Sequence, residues 1–208
     1  MPPSNSAQQR IYKAALQLFA ENGNTQVSVS DLAEAAGVAR GTIYNHVRQP
    51  EALFESVAAD LANDMNIRIS QLFEALEDPA ARLSTGIRLW LRRAHSDPQW
   101  GRFLIRFAFN SSALQQFWAG QPVADLAHGI ELGRYRCRHD QLPTVIAMVA
   151  GTVLSSVFLV LEGHRTWRDA GADAAELVLI ALGLPREEAR ALATSELPIM
   201  VEPPSTTS

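Results

Sequence analysis

Apolar residues recur at helical spacing from Gln8 to about Thr194, and no convincing alternating run bounded by turn residues interrupts them. An all-α fold of about ten helices is therefore predicted. In the first helix Ile11, Ala14, Ala15, Leu18 and Phe19 form one stripe; Ser6 can cap its start, and Asn22-Gly23-Asn24 supplies a left-handed stop. Ser28-Val29-Ser30-Asp31 starts a second, the Ser28 hydroxyl positioned to accept from the backbone N–H of residue 31, and Gly37 ends it. A third short helix runs from Arg40 to Val47, and Pro50-Glu51 opens a long one reaching toward Leu76. Further stops fall at Asp78-Pro79, Asp97-Pro98, Gly120-Gln121-Pro122, Asp140 to Pro143, Gly163 and Gly183-Leu184-Pro185. The tail Glu202 to Ser208 is polar and proline-containing and is expected to be disordered.

With 208 residues, 47% of them hydrophobic, the chain can bury a sizeable core, and its 19% charged residues make pervasive disorder an unsuitable reading. The single cysteine, Cys137, rules out an internal disulfide and a cysteine-based zinc cluster, which fits a reducing compartment. The N-terminus lacks the basic start and apolar stretch of a signal peptide, so a cytoplasmic location is expected. A net charge of -4 excludes binding to polyanions through bulk positive potential; any nucleic-acid site must be local.

Such a site is legible between Val29 and Val47, where two short helices flank a turn at Gly37 with the spacing of a helix-turn-helix. Leu32, Ala36, Val38 and Ile43 are apolar where the helices pack, Ala33 is small where they approach, and Gly37 can take the positive φ of a sharp turn. The outward face of the second helix carries Arg40, Thr42, Tyr44, Asn45 and His46. No carboxylate lies between residues 35 and 50, and Arg40 and Arg48 add positive charge. A pair of ordinary helices with a solvated polar face has the same spacing.

The runs Ala14 to Gly23, Ser28-Val-Ser-Asp-Leu-Ala-Glu-Ala-Ala-Gly-Val-Ala-Arg-Gly-Thr-Ile-Tyr-Asn-His46 and Glu51-Ala-Leu-Phe54 together resemble the DNA-binding domain of TetR-family transcriptional repressors. The resemblance implies a three-helix DNA-binding domain over 1–52, a helical ligand-binding and dimerisation domain over 53–200, and a tail over 201–208. It also implies that Ser28 contacts phosphate, that Thr42, Tyr44 and His46 grip the DNA backbone, and that Ala39, Arg40, Gly41 and Asn45 face base edges. Two departures stand out: Pro50 occupies a position where the family usually has lysine, and Val47 one where an aromatic is usual. Proline at residue 50 has no charge to offer a phosphate, and Arg48 is the candidate to take over that role.

Beyond residue 53 the family signal weakens. Seven aromatic residues fall between Trp90 and Trp118, and an aromatic core explains their periodicity as well as a pocket does. The resemblance favours a cavity, with Trp90, Trp100, Phe103, Phe107, Trp118, His128, Phe158 and Glu162 as candidate ligand-binding residues. Thr144 to Leu161 carries no charge, but its hydroxyls and lack of basic flanks argue for a buried helix over a membrane span. Ala147, Gly151 and Ser155 share one face, and with Leu177, Val178 and Ala181 they suit the family's four-helix dimer interface. Arg134, Arg136, Arg138 and His139 surround Cys137 at the expected end of a helix, where positive neighbours would favour a thiolate. The five histidines show no metal or catalytic spacing, and neither metal nor cofactor is expected.

The sequence thus predicts a homodimeric repressor that binds a palindromic double-stranded operator and is released by a small, largely apolar effector. Two other readings remain: a regulator answering to a protein partner or to Cys137 oxidation, and an all-α enzyme using the aromatic cavity with His128 or Glu162 as acid or base.

Overall fold

The computed structural model describes residues 7–47, 49, 52–73 and 76–198, without the side chains of 66, 68, 71 and 116–119. Ser6, Arg48, Pro50, the tail over 201–208 and the side chain of Trp118 lie outside that set. Among the described residues the fold is all-α: α1 (Ala7–Asn22), α2 (Val29–Ala36), α3 (Arg40–His46), α4 (Leu53–Phe73), α5 (Pro79–Ser96), α6 (Pro98–Phe107), α7 (Ser112–Ala119), α8 (Gln121–Glu131), α9 (Leu142–Leu161), α10 (Trp167–Ala181) and α11 (Arg186–Thr194). A single 3₁₀ turn, His139–Gln141, precedes α9.

Short-range chemistry sets most of these boundaries. Ser28 Oγ accepts from the Asp31 N–H at 3.1 Å, and Gly37 closes α2 with φ of 62°. Asp78 and Asp97 cap α5 and α6 in the same way, each followed by a proline whose missing N–H is not needed in the first turn. Thr166 accepts from the Asp169 N–H at the start of α10. One break carries no glycine or proline. The stretch after Pro98, expected to continue to Gly120, stops at Phe107, and Ser111 Oγ accepts from the Leu114 N–H to start α7. That stop accounts for eleven helices where about ten are expected. The buried face of α1 also takes in Leu16 and Ala20, while Leu18 is half-buried.

Helices α1 to α3 form a small unit resting on the start of α4 and on α6. Ile11, Ala14, Ala15 and Phe19 of α1 meet Leu32, Ala36 and Ile43. At the seam Phe54 lies 5.3 Å from Phe19, 5.5 Å from Phe103 and 4.8 Å from Phe107, ring centre to ring centre. The larger unit is built on α5, with α10 its main packing partner and α6, α8, α9 and α11 around it. Arg134, in the loop after α8, donates to Asp78 at 2.8 and 2.9 Å and to Glu188 at 2.6 Å, tying the start of α5 to α11.

Helix α9 is long and apolar enough to cross a membrane by length and composition. Here it is packed against α5, α6, α8 and α10 on one side. Its opposite side is open, with Ala147, Ser155, Phe158, Leu159 and Glu162 exposed, and Leu177 and Ala181 of α10 are exposed as well.

Candidate nucleic-acid interface and internal cavity

Helix α3 is anchored by one residue. Ile43 is fully buried against α1 and α2, whereas Arg40, Gly41, Tyr44, Asn45 and His46 are exposed and Thr42 is half-buried. The turn before it is locked by Gly37 N–H to Glu34 O at 3.1 Å and Val38 N–H to Ala33 O at 3.0 Å, so the orientation of α3 follows from α2. Ala39 is the N-cap residue and offers no side-chain cap. Among the described residues, the side chains of Arg40, Tyr44, Asn45 and His46 make no hydrogen bond within the chain, leaving a row of polar groups free for an external partner. Ser28 spends its hydroxyl as an acceptor on the Asp31 N–H, and its proton remains available to donate.

The larger unit encloses a cavity of about 70 Å³ bounded by α4, α5, α8, α9 and the loop carrying Tyr135. Its walls are mainly apolar, among them Ile69, Phe73, Leu83, Trp90, Val149 and Val153. Arg82, Gln121 and Asp125 stand together on the lining. Asp125 Oδ1 accepts from Arg82 Nη1 at 3.3 Å and from Gln121 Nε2 at 2.9 Å. Two helical glycines shape the space: a Cβ on Gly86 would reach Phe73 at 3.4 Å, and one on Gly129 would collide with the Tyr135 ring.

Of the side chains expected to bind ligand, Trp90 lines this cavity. Trp100, Phe103 and Phe107 do not: they are 3%, 1% and 4% exposed, and they pack as core. Their spacing puts them on the face of α6 that meets α1 and α4, so they build the seam between the units; Trp100 stacks 5.1 Å from Trp90. His128 is exposed on α8, 3.9 Å from Glu131, and Phe158 and Glu162 lie on the open side of α9; none lines the cavity. Val178, expected at the dimer interface, is 2% exposed and belongs to the intrachain core, whereas Ala147, Ser155, Leu177 and Ala181 are exposed and Gly151 is half-buried. The lining residues Ile69, Phe73, Arg82, Leu83, Gly86, Asp125 and Tyr135 escape a reading of the sequence. The interior glycines Gly86 and Gly129 are the available signal.

The electrostatic premise for a reactive cysteine also fails. Cys137 lies in the loop beyond α8, and burial pushes its thiol pKa up. Arg134 is engaged by Asp78 and Glu188, and Arg138 by Asp140, so neither is free to stabilise a thiolate.

Two links join the cavity to the small unit. Helix α4 places Ile69 and Phe73 on the cavity wall and Phe54 in the seam, about 28 Å away along its axis. Beside Phe54, Glu55 Oε2 accepts from the hydroxyls of Ser111 and Ser112 at 3.2 and 3.1 Å, fixing α4 to the start of α7. Helix α7 runs on into Gln121 and Pro122 of the cavity.

A helix-turn-helix with an unoccupied polar face, joined by one continuous helix to a cavity-bearing helical unit, defines a two-part regulatory architecture. Residues 11–57 match the family described as bacterial regulatory proteins, tetR family, and residues 78–195 match the tetracyclin repressor-like C-terminal domain. The chain belongs to the TetR family. The transcriptional repressor AcnR of Corynebacterium efficiens is 35% identical over 141 residues, which are 64% of this chain and 71% of that protein. The repressor KstR2 of Mycolicibacterium smegmatis is 29% identical over 84 residues, so the chain spans about two fifths of its length, 41%. Among solved structures, RolR in complex with the ligand resorcinol superposes with a TM-score of 0.70 at 26% identity, covering 95% of this chain and 97% of that one.

Proposed function

We propose that the protein is a homodimeric, cytoplasmic transcriptional repressor that binds a palindromic double-stranded operator through α3 and is released by a small, largely apolar ligand entering the cavity beside Trp90. The observation that carries DNA binding is the state of α3: buried at Ile43 and otherwise presenting hydrogen-bonding groups that the chain does not use. Arg40, Asn45, Ala39 and Gly41 are assigned to base edges, and Ser28, Thr42, Tyr44 and His46 to the phosphate backbone. Arg48 is assigned to phosphate in place of a lysine at residue 50. In domain terms, 1–52 reads DNA and 53–200 senses ligand and dimerises.

The open side of α9 and α10 supports the dimer. Ala147, Gly151, Ser155, Phe158 and Glu162 follow one helical face, and a Cβ on Gly151 would meet nothing within 4 Å. Intrachain packing therefore gives no reason for glycine there, whereas close approach of a second α9 does. Two-fold symmetry of the protein then requires two-fold symmetry of the operator. This face also accounts for the apolar α9 without a membrane.

The cavity supports release. Its 70 Å³ is about half of the roughly 150 Å³ void known to hold benzene, so a ring-sized ligand must displace part of the wall. Phe73 at the end of α4 and Leu83 are half-buried and free to yield. Movement of Phe73 carries α4, and with it Phe54 and the seat of α1. RolR, structurally alike, holds resorcinol, which favours a small ligand here.

The test is a pair of variants on the operator recovered by footprinting DNA that flanks the protein's own gene. Arg40→Ala is expected to weaken the cognate site by about 5- to 150-fold while leaving random duplex much less affected. Tyr44→Phe is expected to weaken both DNAs alike, the phosphate contact being blind to sequence. Equal losses for both variants on both DNAs would reject these roles.

A further inference from the structure

Tyr135 is a polar group left idle inside the cavity wall. It is 3% exposed and lines the cavity, yet its hydroxyl has no hydrogen-bond partner among the described residues. Buried hydroxyls are ordinarily paired, because an unpaired one forfeits its bonds to water without replacement. The ring has been given its place at the expense of a side chain on α8, since any Cβ at Gly129 would strike it. The backbone of residue 135 is held by the Gly129 carbonyl at 3.2 Å. Burial, with a smaller contribution from the Asp78 carboxylate, pushes the phenol above its ordinary pKa, so the group stays protonated and can both donate and accept.

The second polar feature is the Arg82–Asp125 pair. Asp125 Oδ1 receives Arg82 and Gln121, and among the described residues no hydrogen bond reaches Oδ2. Arg82 also donates its Nε–H to the Leu76 carbonyl. The cationic and anionic charges on the lining thus cancel. An entering carboxylate would have to break the pair and sit beside Asp125, where like charges repel. An alkane would leave both Tyr135 Oη and Asp125 Oδ2 without partners.

Resting on the reading of this cavity as the effector site, we infer that its ligand class is the neutral hydroxylated aromatic ring: a phenol whose hydroxyl pairs with Tyr135, with Asp125 Oδ2 able to accept from a second hydroxyl. Phe73 and Trp90 flank the ring, and Leu83 and Val153 close the apolar end.

The experiment is calorimetric titration of the full chain, without DNA, using phenol, toluene and benzoate as probes, repeated on Tyr135→Phe with a melting curve to confirm folding. Phenol is expected to bind at least about tenfold more tightly than toluene, and benzoate more weakly than phenol. Tyr135→Phe should bring phenol down to the level of toluene and leave toluene unchanged. Equal affinities for phenol and toluene, tightest binding of benzoate, a folded Tyr135→Phe variant that keeps its phenol affinity, or no binding of any probe would overturn the inference. The regulatory reading fails separately: phenol that binds here without altering operator affinity sinks induction through this cavity but not the ligand class. Release of operator by some other compound, with no phenol binding, does the reverse.

Discussion

Gly151→Arg is expected to sediment as a folded monomer and to bind operator at least about 100-fold more weakly than the parent chain. The first half follows from where Gly151 stands. Nothing lies within 4 Å of a Cβ built there, so the arginine fits a single chain without displacing core, and the protomer keeps its stability. In a dimer closed through the open side of α9, that side chain enters the closest helix crossing. An unpaired guanidinium buried there costs several kcal/mol. The drop in operator affinity follows from valency, because each half-site held alone forgoes the effective concentration that a linked second half supplies, a factor of about 10² to 10⁴. Sedimentation equilibrium beside a melting curve separates the outcomes. A variant that sediments as a dimer like the parent places the interface elsewhere.

Phe103→Ala is expected to lower stability by about 3–5 kcal/mol while leaving ligand affinity close to that of the parent when measured well below the melting point. Phe103 is 1% exposed and sits within 5.0 Å of Phe107, 5.5 Å of Phe54 and 6.4 Å of Phe19. Removing its ring opens a void at the junction of α1, α4 and α6, and the surrounding rings belong to three helices that cannot collapse together onto it. Denaturant unfolding gives the stability change and calorimetry the affinity. A variant of near-parent stability that no longer binds ligand would return Phe103 to the pocket and undo the seam.

Local chemistry is readable where one residue decides one boundary. Ser28, Gly37, Asp78-Pro79 and Asp97-Pro98 each act through backbone groups within a few positions, and the helices begin and end there. The outward face of α3 is legible for the same reason, since a seven-residue helix with one apolar position leaves little choice of buried side. The break between α6 and α7 is hidden because it depends on a serine hydroxyl, which is common in surface helices, and not on glycine or proline. The cavity is hidden for a different reason. Phe103 and Phe107 at a four-residue spacing announce a buried face but not what it is buried against, and that is fixed by the crossing of α6 over α1 and α4. Periodicity makes Ile69, Leu83, Ile87 and Val149 look like any core, and only their arrangement on separate helices leaves a space between them. Val178 shows the same limit from the other side. It shares α10 with Leu177 but turns inward, and one step around the helix separates core from open face.

Coupling between cavity and operator is open to one direct titration. Ligand binding is followed through tryptophan fluorescence, Trp90 lying on the cavity wall, first with the free protein and then with saturating operator duplex. Displacement of Phe73 and α4 by the ligand predicts that operator weakens ligand binding by about 5- to 150-fold, corresponding to a coupling of about 1–3 kcal/mol. Linkage requires the ligand to weaken operator binding by the same factor. A ligand that occupies the cavity with one affinity in both titrations, and leaves the operator dissociation constant unchanged, would contradict release through this cavity.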